Sequence, residues 1–255
     1  MITMLRPVSH RVGGDRRSGA SSLSTGSPGI IPAICGILWL MAIKALLFDV
    51  DGVLLDSSAT HRRIWDAWSD MRGLDRDLVW SLTHGRRPED TVRDAAPDLD
   101  PTVERKVLNQ LMAMEGDAFP AASGAVSLLG KLERHPWALV TSGSQAPVHR
   151  RFRLAALPLP SVQIYGENVK HSKPHPEGYL KAAELLLIDP NDCIVIEDAP
   201  HGVAAGKAAG CTVIAVATTH TPRELAKADG CFPSLEEAAP HLLKLINEPF
   251  STWRR

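Results

Sequence analysis

The sequence predicts an α/β fold in which a parallel sheet is flanked by helices on both faces. Short apolar runs, which are typical of buried parallel strands, alternate with helical patterns of about 10 to 15 residues. Polar residues stand where these runs end, at the edge where open parallel sheets place their ligands. The predicted strands cover residues 45–48, 137–141, 162–165, 193–197 and 212–217. The helices predicted between and after them cover residues 125–134, 145–156, 176–187, 200–209 and 235–246.

The stretch between the first two predicted strands has a different pattern. In residues 58–71, Ile64, Trp65 and Trp68 recur at helical spacing. Three further helices are predicted, at residues 78–82, 89–95 and 101–118. No strand is expected here, so residues 58–120 are predicted to form an all-helical insertion.

The composition limits the classes of protein to which this chain can belong. The chain has 255 residues, 44% hydrophobic content and a net charge of −1, which permits a sizeable core and does not indicate a nucleic-acid partner. The four cysteines are far apart, and Cys193 and Cys211 lie in strand-like runs, as expected for small buried side chains in a reducing compartment. The ten histidines do not show the spacing typical of a zinc site.

The N-terminal segment differs from the rest of the chain. Residues 1–29 are rich in Arg, Ser and Gly, and the apolar run at 30–43 is shorter than the ~20 residues needed to span a bilayer. A signal peptide would end inside the first core strand. We therefore expect residues 1–40 to be a disordered or mis-called extension of a cytoplasmic protein that has no membrane partner.

Two carboxylates follow the first predicted strand. Side chains alternate along a strand, so Asp49 and Asp51 are expected to point the same way at its end. A calcium loop would carry Glu at its twelfth position, where this chain has Thr60. The pair is better explained by Mg²⁺ binding together with a carboxylate that attacks or moves protons.

Three later segments also place polar residues at or after strand ends. Thr141, Ser142 and Gly143 suit a phosphate site, although an ordinary helix N-cap explains them equally well. Lys173 lies in a loop that contains Pro174 and Pro176, and these rigid prolines favour a positioned cation over a solvated one. A further acid pair, Glu197 and Asp198, ends a buried strand and needs a metal, a cation or backbone donors.

The order and spacing of these motifs resemble the haloacid dehalogenase-like hydrolases, whose core is a Rossmann-like sheet. The resemblance implies that Asp49 is the nucleophile, that Asp51 is the general acid/base, and that Thr141 and Lys173 hold the phosphoryl group. It also implies that Asp49, Asp51 and Asp198 hold Mg²⁺. Glu197, Ser142 and Gly143 would support the site. The core would comprise residues 41–57 and 121–255.

In that family a helical insertion at residues 58–120 would be a cap domain that selects the substrate. The segments SLTHGRRPEDT, KPHPEGYLKAAELL and EDAPHGVAAGKAAGC resemble phosphatases of glycerol, 2-deoxyglucose and hexitol phosphates. His84, Arg86 and Arg87 are therefore candidates to contact the substrate, although a solvated basic loop is an equal explanation. The expected partner is a small phosphorylated metabolite, and the chain is expected to be a monomer.

One feature favours another activity of the same family. His61 stands twelve residues after Asp49, as a hinge histidine does in β-phosphoglucomutases. Those mutases carry a basic residue where this chain has Pro88, so we expect a phosphatase and keep the mutase as the alternative. A regulator that binds a phosphorylated ligand without catalysis is a further alternative.

Overall fold

The computed structural model describes residues 43–116 and 119–247. Its centre is a parallel sheet of the strands β1 (Ala45–Phe48), β2 (Trp137–Val140), β3 (Val162–Ile164), β4 (Cys193–Glu197), β5 (Thr212–Val216) and β6 (Gly230–Phe232). Their order across the sheet is β3-β2-β1-β4-β5-β6. The predicted α/β class is confirmed.

The strands of the sheet centre are buried on both faces, which explains why they are apolar without alternation. In β1, Leu46 and Phe48 pack into one apolar cluster, whereas Ala45 and Leu47 pack into another. All four side chains are fully buried. This strand lies between β2 and β4, so its carboxyl end is the middle of the sheet edge.

Helices cover the sheet. Those of the core are α5 (Ala125–Gly130), α6 (Gln145–Leu154), α7 (Glu177–Leu186), α8 (Pro200–Ala208) and α9 (Leu235–Asn247). The prediction missed β6, a three-residue strand with no apolar run to reveal it. It also made α5 too long, because the chain turns at Lys131 instead of continuing the helix.

The described part of the insertion contains four helices: α1 (Ser58–Arg72), α2 (Arg76–Ser81), α3 (Pro88–Ala95) and α4 (Pro101–Glu115). They enclose an apolar cluster of their own, formed by Ile64, Trp65, Trp68, Val79, Val92 and Leu108. The predicted end of α4 at residue 118 is too late. The helix stops at Glu115, before Gly116, which has a positive φ of 83°.

The insertion leaves and rejoins the core at one place. Leu55 forms an isolated bridge with Ala121, and the Asp56 backbone N–H donates to the Pro120 carbonyl at 2.9 Å. The two connections therefore run side by side.

The expectation for residues 1–40 lies outside the described residues. Cys193 and Cys211 are buried free thiols, as predicted. Within the part of the chain that the structure describes, no helix has the length and apolar character needed to cross a membrane.

A buried ionic contact stabilises the insertion. Glu104 accepts two hydrogen bonds from Arg72, both 2.9 Å, and one from the Trp68 indole N–H at 2.7 Å. Removing this carboxylate leaves a buried indole donor and a half-buried cation without their acceptor.

We expect Glu104→Ala to lower the free energy of unfolding by about 2–4 kcal/mol. Glu115→Ala is the matched control, because its ion pair with Arg63 is exposed and such pairs contribute about 1 kcal/mol or less. Urea unfolding of both variants tests this, and equal losses would contradict the assignment.

Candidate active site

Three neighbouring strands end in polar residues at the same sheet edge. Asp49 follows β1, Thr141 follows β2, and Glu197 ends β4. Backbone hydrogen bonds extend the ladder to this point, since the Asp49 N–H donates to the Ile196 carbonyl at 3.0 Å. The parallel register therefore places these side chains together, as the sequence predicted.

Lys173 enters this edge from the loop before α7. Its ammonium group donates to Asp49 Oδ1 at 2.5 Å, to Glu197 Oε1 at 2.6 Å and to the Val140 carbonyl at 3.2 Å. The residue is buried. Burial alone lowers the pKa of Lys173, but the carboxylates of Asp49 and Glu197 outweigh it and raise that pKa. The lysine is thus a fixed cation.

Glu197 is held on every side. The Tyr179 hydroxyl donates to its Oε1 at 2.7 Å, and the Asp198 N–H donates to its Oε2 at 3.1 Å. Gly202 lies so close that a Cβ there would be 1.8 Å from Glu197 Oε1. Sequence reasoning missed Tyr179 and Gly202, because neither follows a strand.

Negative charge exceeds positive charge among these buried groups. The carboxylates of Asp49, Glu197 and Asp198 each place an oxygen within 4.8 Å of the others and form a possible metal site. Burial raises the pKa of Asp49 to about 7, and it raises the pKa of Asp198 well above its usual value, with Glu197 adding to both shifts. The cluster has the charge to hold a divalent cation.

Asp198 also packs closely against the segment that follows β1. Thr219 donates from Oγ1 to Asp198 Oδ2 at 2.5 Å. Gly52, at a φ of 78°, leaves no room for a side chain, since its Cβ would be 2.1 Å from that oxygen. Thr219 was missed, although its position just after β5 is the signal that identified the other residues.

Asp51 lies beside the first connection to the insertion. Its Oδ1 is 3.9 Å from His61 Nδ1, and its side chain is partly exposed to the cavity. Burial alone raises the pKa of Asp51, but His61 and then Arg151 bring it below its usual value. Arg151 stacks over the Phe119 ring at 4.2 Å. The structure therefore gives this carboxylate surroundings different from those of Asp49.

The loop after β2 is compact. Thr141 Oγ1 accepts a hydrogen bond from the Gly143 N–H at 3.0 Å. The Ser142 hydroxyl donates to the Gly85 carbonyl of the insertion at 2.9 Å. The Thr141 hydroxyl is therefore engaged within the core, whereas the Ser142 hydroxyl contacts the insertion.

A cavity of about 170 Å³ lies between the sheet edge and the insertion. Its walls include Asp49, Asp51, Thr141 and Asp198 from the core. From the insertion, His61, His84 and Arg86 line it. Burial and the neighbouring His220 lower the pKa of His84 to about 4, so this imidazole is neutral at pH 7.

Arg87 is placed differently from Arg86. Its guanidinium donates to Asp90 at 2.9 Å and to the carbonyls of Val169 and Lys170, both at 3.3 Å. Arg87 is not one of the described residues that line this cavity. Arg87 therefore contacts the loop before Lys173.

Other residues of the cavity wall were not found from the sequence. Arg105 donates to the Ser144 hydroxyl at 2.9 Å and to Asn109 Oδ1 at 3.1 Å. Trp80 packs on the His84 ring, with centroids 4.5 Å apart. These side chains lie on helices where a polar or aromatic residue is unremarkable, so only the fold reveals their position.

The model of the haloacid dehalogenase-like hydrolase family matches residues 43–210. The chain belongs to this family. Hexitol phosphatase A of Escherichia coli is 40% identical to it over 77% of the chain and 94% of the relative. Glycerol-1-phosphate phosphohydrolase 1 of Saccharomyces cerevisiae is 34% identical over 75% of the chain and 81% of the relative.

A solved β-phosphoglucomutase from Clostridium difficile has the same fold, with a TM-score of 0.68 and 21% identity over 80% of this chain and 97% of that one. The Rossmann-like hydrolase fold and the expected enzyme class, a phosphoric monoester hydrolase, are confirmed by these comparisons.

The tight contact at Gly202 generates a prediction. We expect Gly202→Ala to displace Glu197, release Lys173 and lower turnover by about 10- to 100-fold while the protein stays folded. Gly130→Ala is the matched control, since a Cβ there meets nothing within 4 Å. Steady-state kinetics and circular dichroism test it, and wild-type turnover by Gly202→Ala would refute it.

Proposed function

We propose that this protein hydrolyses a small sugar or polyol phosphate monoester through an aspartyl-phosphate at Asp49, with the help of Mg²⁺. The observation that carries the proposal is the buried contact of Lys173 with Asp49 at the floor of the cavity. A cation fixed on one carboxylate oxygen orients the nucleophile and neutralises the phosphoryl group.

The carboxylate cluster fits a hard divalent cation. Its donors are oxygens, and burial, with repulsion from Glu197 added to it, raises the pKa of Asp49 and of Asp198, which a bound cation would offset. Asp49, Asp198 and the backbone carbonyl of Asp51 would hold Mg²⁺, while Glu197 supports Lys173 because its oxygens already accept other hydrogen bonds. When bound, the ion would supply charge neutralisation for the phosphoryl oxygens.

In the first step Asp49 attacks phosphorus, and the bond from phosphorus to the leaving oxygen breaks. Asp51 gives its proton to that oxygen. Although His61 and Arg151 lower the pKa of Asp51 in the free protein, an arriving phosphate dianion opposes them and favours the protonated form.

In the second step a water molecule attacks phosphorus of the aspartyl-phosphate, and Asp51 takes the proton of that water. Asp49 is regenerated and inorganic phosphate is released. Thr141 would donate from its hydroxyl to a phosphoryl oxygen, with Ser142 and Gly143 shaping the loop. The different surroundings of Asp49 and Asp51 suit these separate roles.

The helical insertion, residues 58–120, acts as a cap over the core formed by residues 41–57 and 121–255. His84 and Arg86 would contact the part of the substrate remote from the phosphate, because both line the cavity. The names of the similar enzymes, which act on hexitol and glycerol phosphates, support a polyol or sugar substrate.

A phosphomutase is the second candidate, favoured by His61 near Asp51 at 3.9 Å. A mutase must hold a second phosphate in the cap and exclude water. Pro88 offers no cation, and Arg87 is engaged by Asp90 and two backbone carbonyls. The geometry therefore favours hydrolysis.

Replacing the nucleophile tests the mechanism. We expect Asp49→Asn to reduce hydrolysis of para-nitrophenyl phosphate to background, because the amide cannot form the acyl-phosphate. Asp56→Asn, a matched change of an exposed carboxylate, should keep wild-type turnover. Substantial turnover by Asp49→Asn would overturn the mechanism and favour a site that binds phosphate without covalent catalysis.

Metal removal tests the cofactor. Activity should be lost in EDTA and restored by Mg²⁺, whereas Ca²⁺ should inhibit because it takes more ligands at longer distances. Asp198→Asn should need a higher Mg²⁺ concentration for half-maximal turnover. Full activity of the wild-type protein in chelator would contradict the metal assignment.

The products separate phosphatase from mutase. We expect free phosphate from hexitol, hexose or glycerol phosphates and negligible conversion of β-glucose 1-phosphate to glucose 6-phosphate. Faster isomerisation than phosphate release would support the mutase and make His61 a catalytic candidate.

The same assay tests the role of the cap. Arg86→Ala should lower kcat/KM for these substrates more than for para-nitrophenyl phosphate, because binding energy from the remote part of a substrate is used in catalysis. Arg87→Ala, at the adjacent position outside the cavity, gives the comparison, and the two variants behaving alike would argue against a direct contact by Arg86.

A further inference from the structure

The loop that carries Lys173 has a second set of metal-ligating side chains on its outer side. His171 and His175 are exposed, and Glu177 is the first residue of α7. One ligand atom from each lies within 4.8 Å of the other two. The histidine spacing did not predict this group in the sequence, because the carboxylate comes from the next element.

We propose that His171, His175 and Glu177 form a binding site for a divalent transition metal ion such as Zn²⁺, separate from the acidic cluster at Asp49. Two imidazoles and one carboxylate are a donor set that suits zinc and its neighbours. Mg²⁺ prefers oxygen ligands, so the two sites differ in the ions they select.

The spacing of the donors supports one shared ion. His171 Nδ1 is 3.1 Å from Glu177 Oε2. Two ligands on a tetrahedral zinc ion, each roughly 2.0–2.1 Å from the metal, are about 3.4 Å apart. The rings of His171 and His175 have centroids 4.6 Å apart, so exposed side chains need only a small rotation to share the ion.

The carboxylate of Glu177 is already oriented for this role. Its Oε1 accepts from the Lys170 N–H at 2.9 Å and from the Lys181 ammonium at 2.8 Å. Its Oε2 is the oxygen that faces the His171 ring, and a carboxylate oxygen can accept more than one partner. Hydrogen bonds of this kind orient metal ligands in many proteins.

The loop also limits how far the histidines can separate. Pro174 and Pro176, whose rings fix φ, flank His175. The Glu177 N–H donates to His175 Nδ1 at 3.2 Å, which turns that ring towards the carboxylate. The two histidines are thus held near Glu177 before any ion arrives, which lowers the entropic cost of binding.

Titration calorimetry with Zn²⁺ on the full chain, in an excess of Mg²⁺, tests the proposal. We expect one Zn²⁺ per chain in addition to any exchange at the acidic cluster. His171→Ala and His175→Ala should each weaken that binding by about 10-fold or more, since even outer contacts of a metal site cost that much. His135→Ala, a histidine elsewhere on the core, is the matched control and should bind as the wild type does.

A second measurement assigns the ligands. Co²⁺ should give visible absorption typical of nitrogen-coordinated metal in the wild type and in Asp198→Asn, but not in the His171→Ala, His175→Ala double variant. Circular dichroism and unchanged Mg²⁺-dependent turnover of that double variant would show that it is folded. Zn²⁺ binding that survives in the double variant, or that disappears in Asp198→Asn, would overturn the proposal.

Discussion

The site depends on one buried ammonium group. Lys173 joins Asp49 of β1 to Glu197 of β4 through hydrogen bonds of 2.5 and 2.6 Å. Without it, two carboxylates would face each other at the centre of the sheet edge, where water is largely excluded, and the folded state would be penalised. The same contact fixes Asp49, the proposed nucleophile, so one interaction would meet both the requirement for stability and the requirement for catalysis.

The helical insertion contacts the core through the loops that hold these residues. Ser142, next to Thr141, donates to the Gly85 carbonyl, and Ser172, next to Lys173, donates to Asp90 at 2.6 Å. A movement of the insertion would therefore first displace Ser142 and Ser172, the neighbours of the two residues proposed to hold phosphate. Under the proposed cap role, this arrangement would couple closure over a substrate to the geometry of the reacting atoms.

The core of the fold could be predicted from sequence because buried parallel strands are apolar runs that stop at polar residues. Asp49, Thr141 and Glu197 were found by that rule, whereas Lys173 was found from the prolines that follow it in its loop. The strand β6 and the positioning residue Tyr179 were missed, because a short edge strand has no run and a buried tyrosine on a helix resembles any core residue. Arg86 and Arg87 are adjacent in sequence, and only three-dimensional packing separates the one in the cavity from the one on the loop.

The paired crossing at Leu55 and Ala121 has an evolutionary consequence. Since the insertion begins and ends at the same point of the core, recombination can exchange it as a block without changing strand order or register. Under the proposed cap role, a chimera built at this junction would keep the chemistry of the core and acquire the substrate selectivity of the protein that supplied the insertion. The transplanted insertion would also need acceptors for the hydroxyls of Ser142 and Ser172. Only insertions that preserve these two hydrogen bonds would pack correctly on the core.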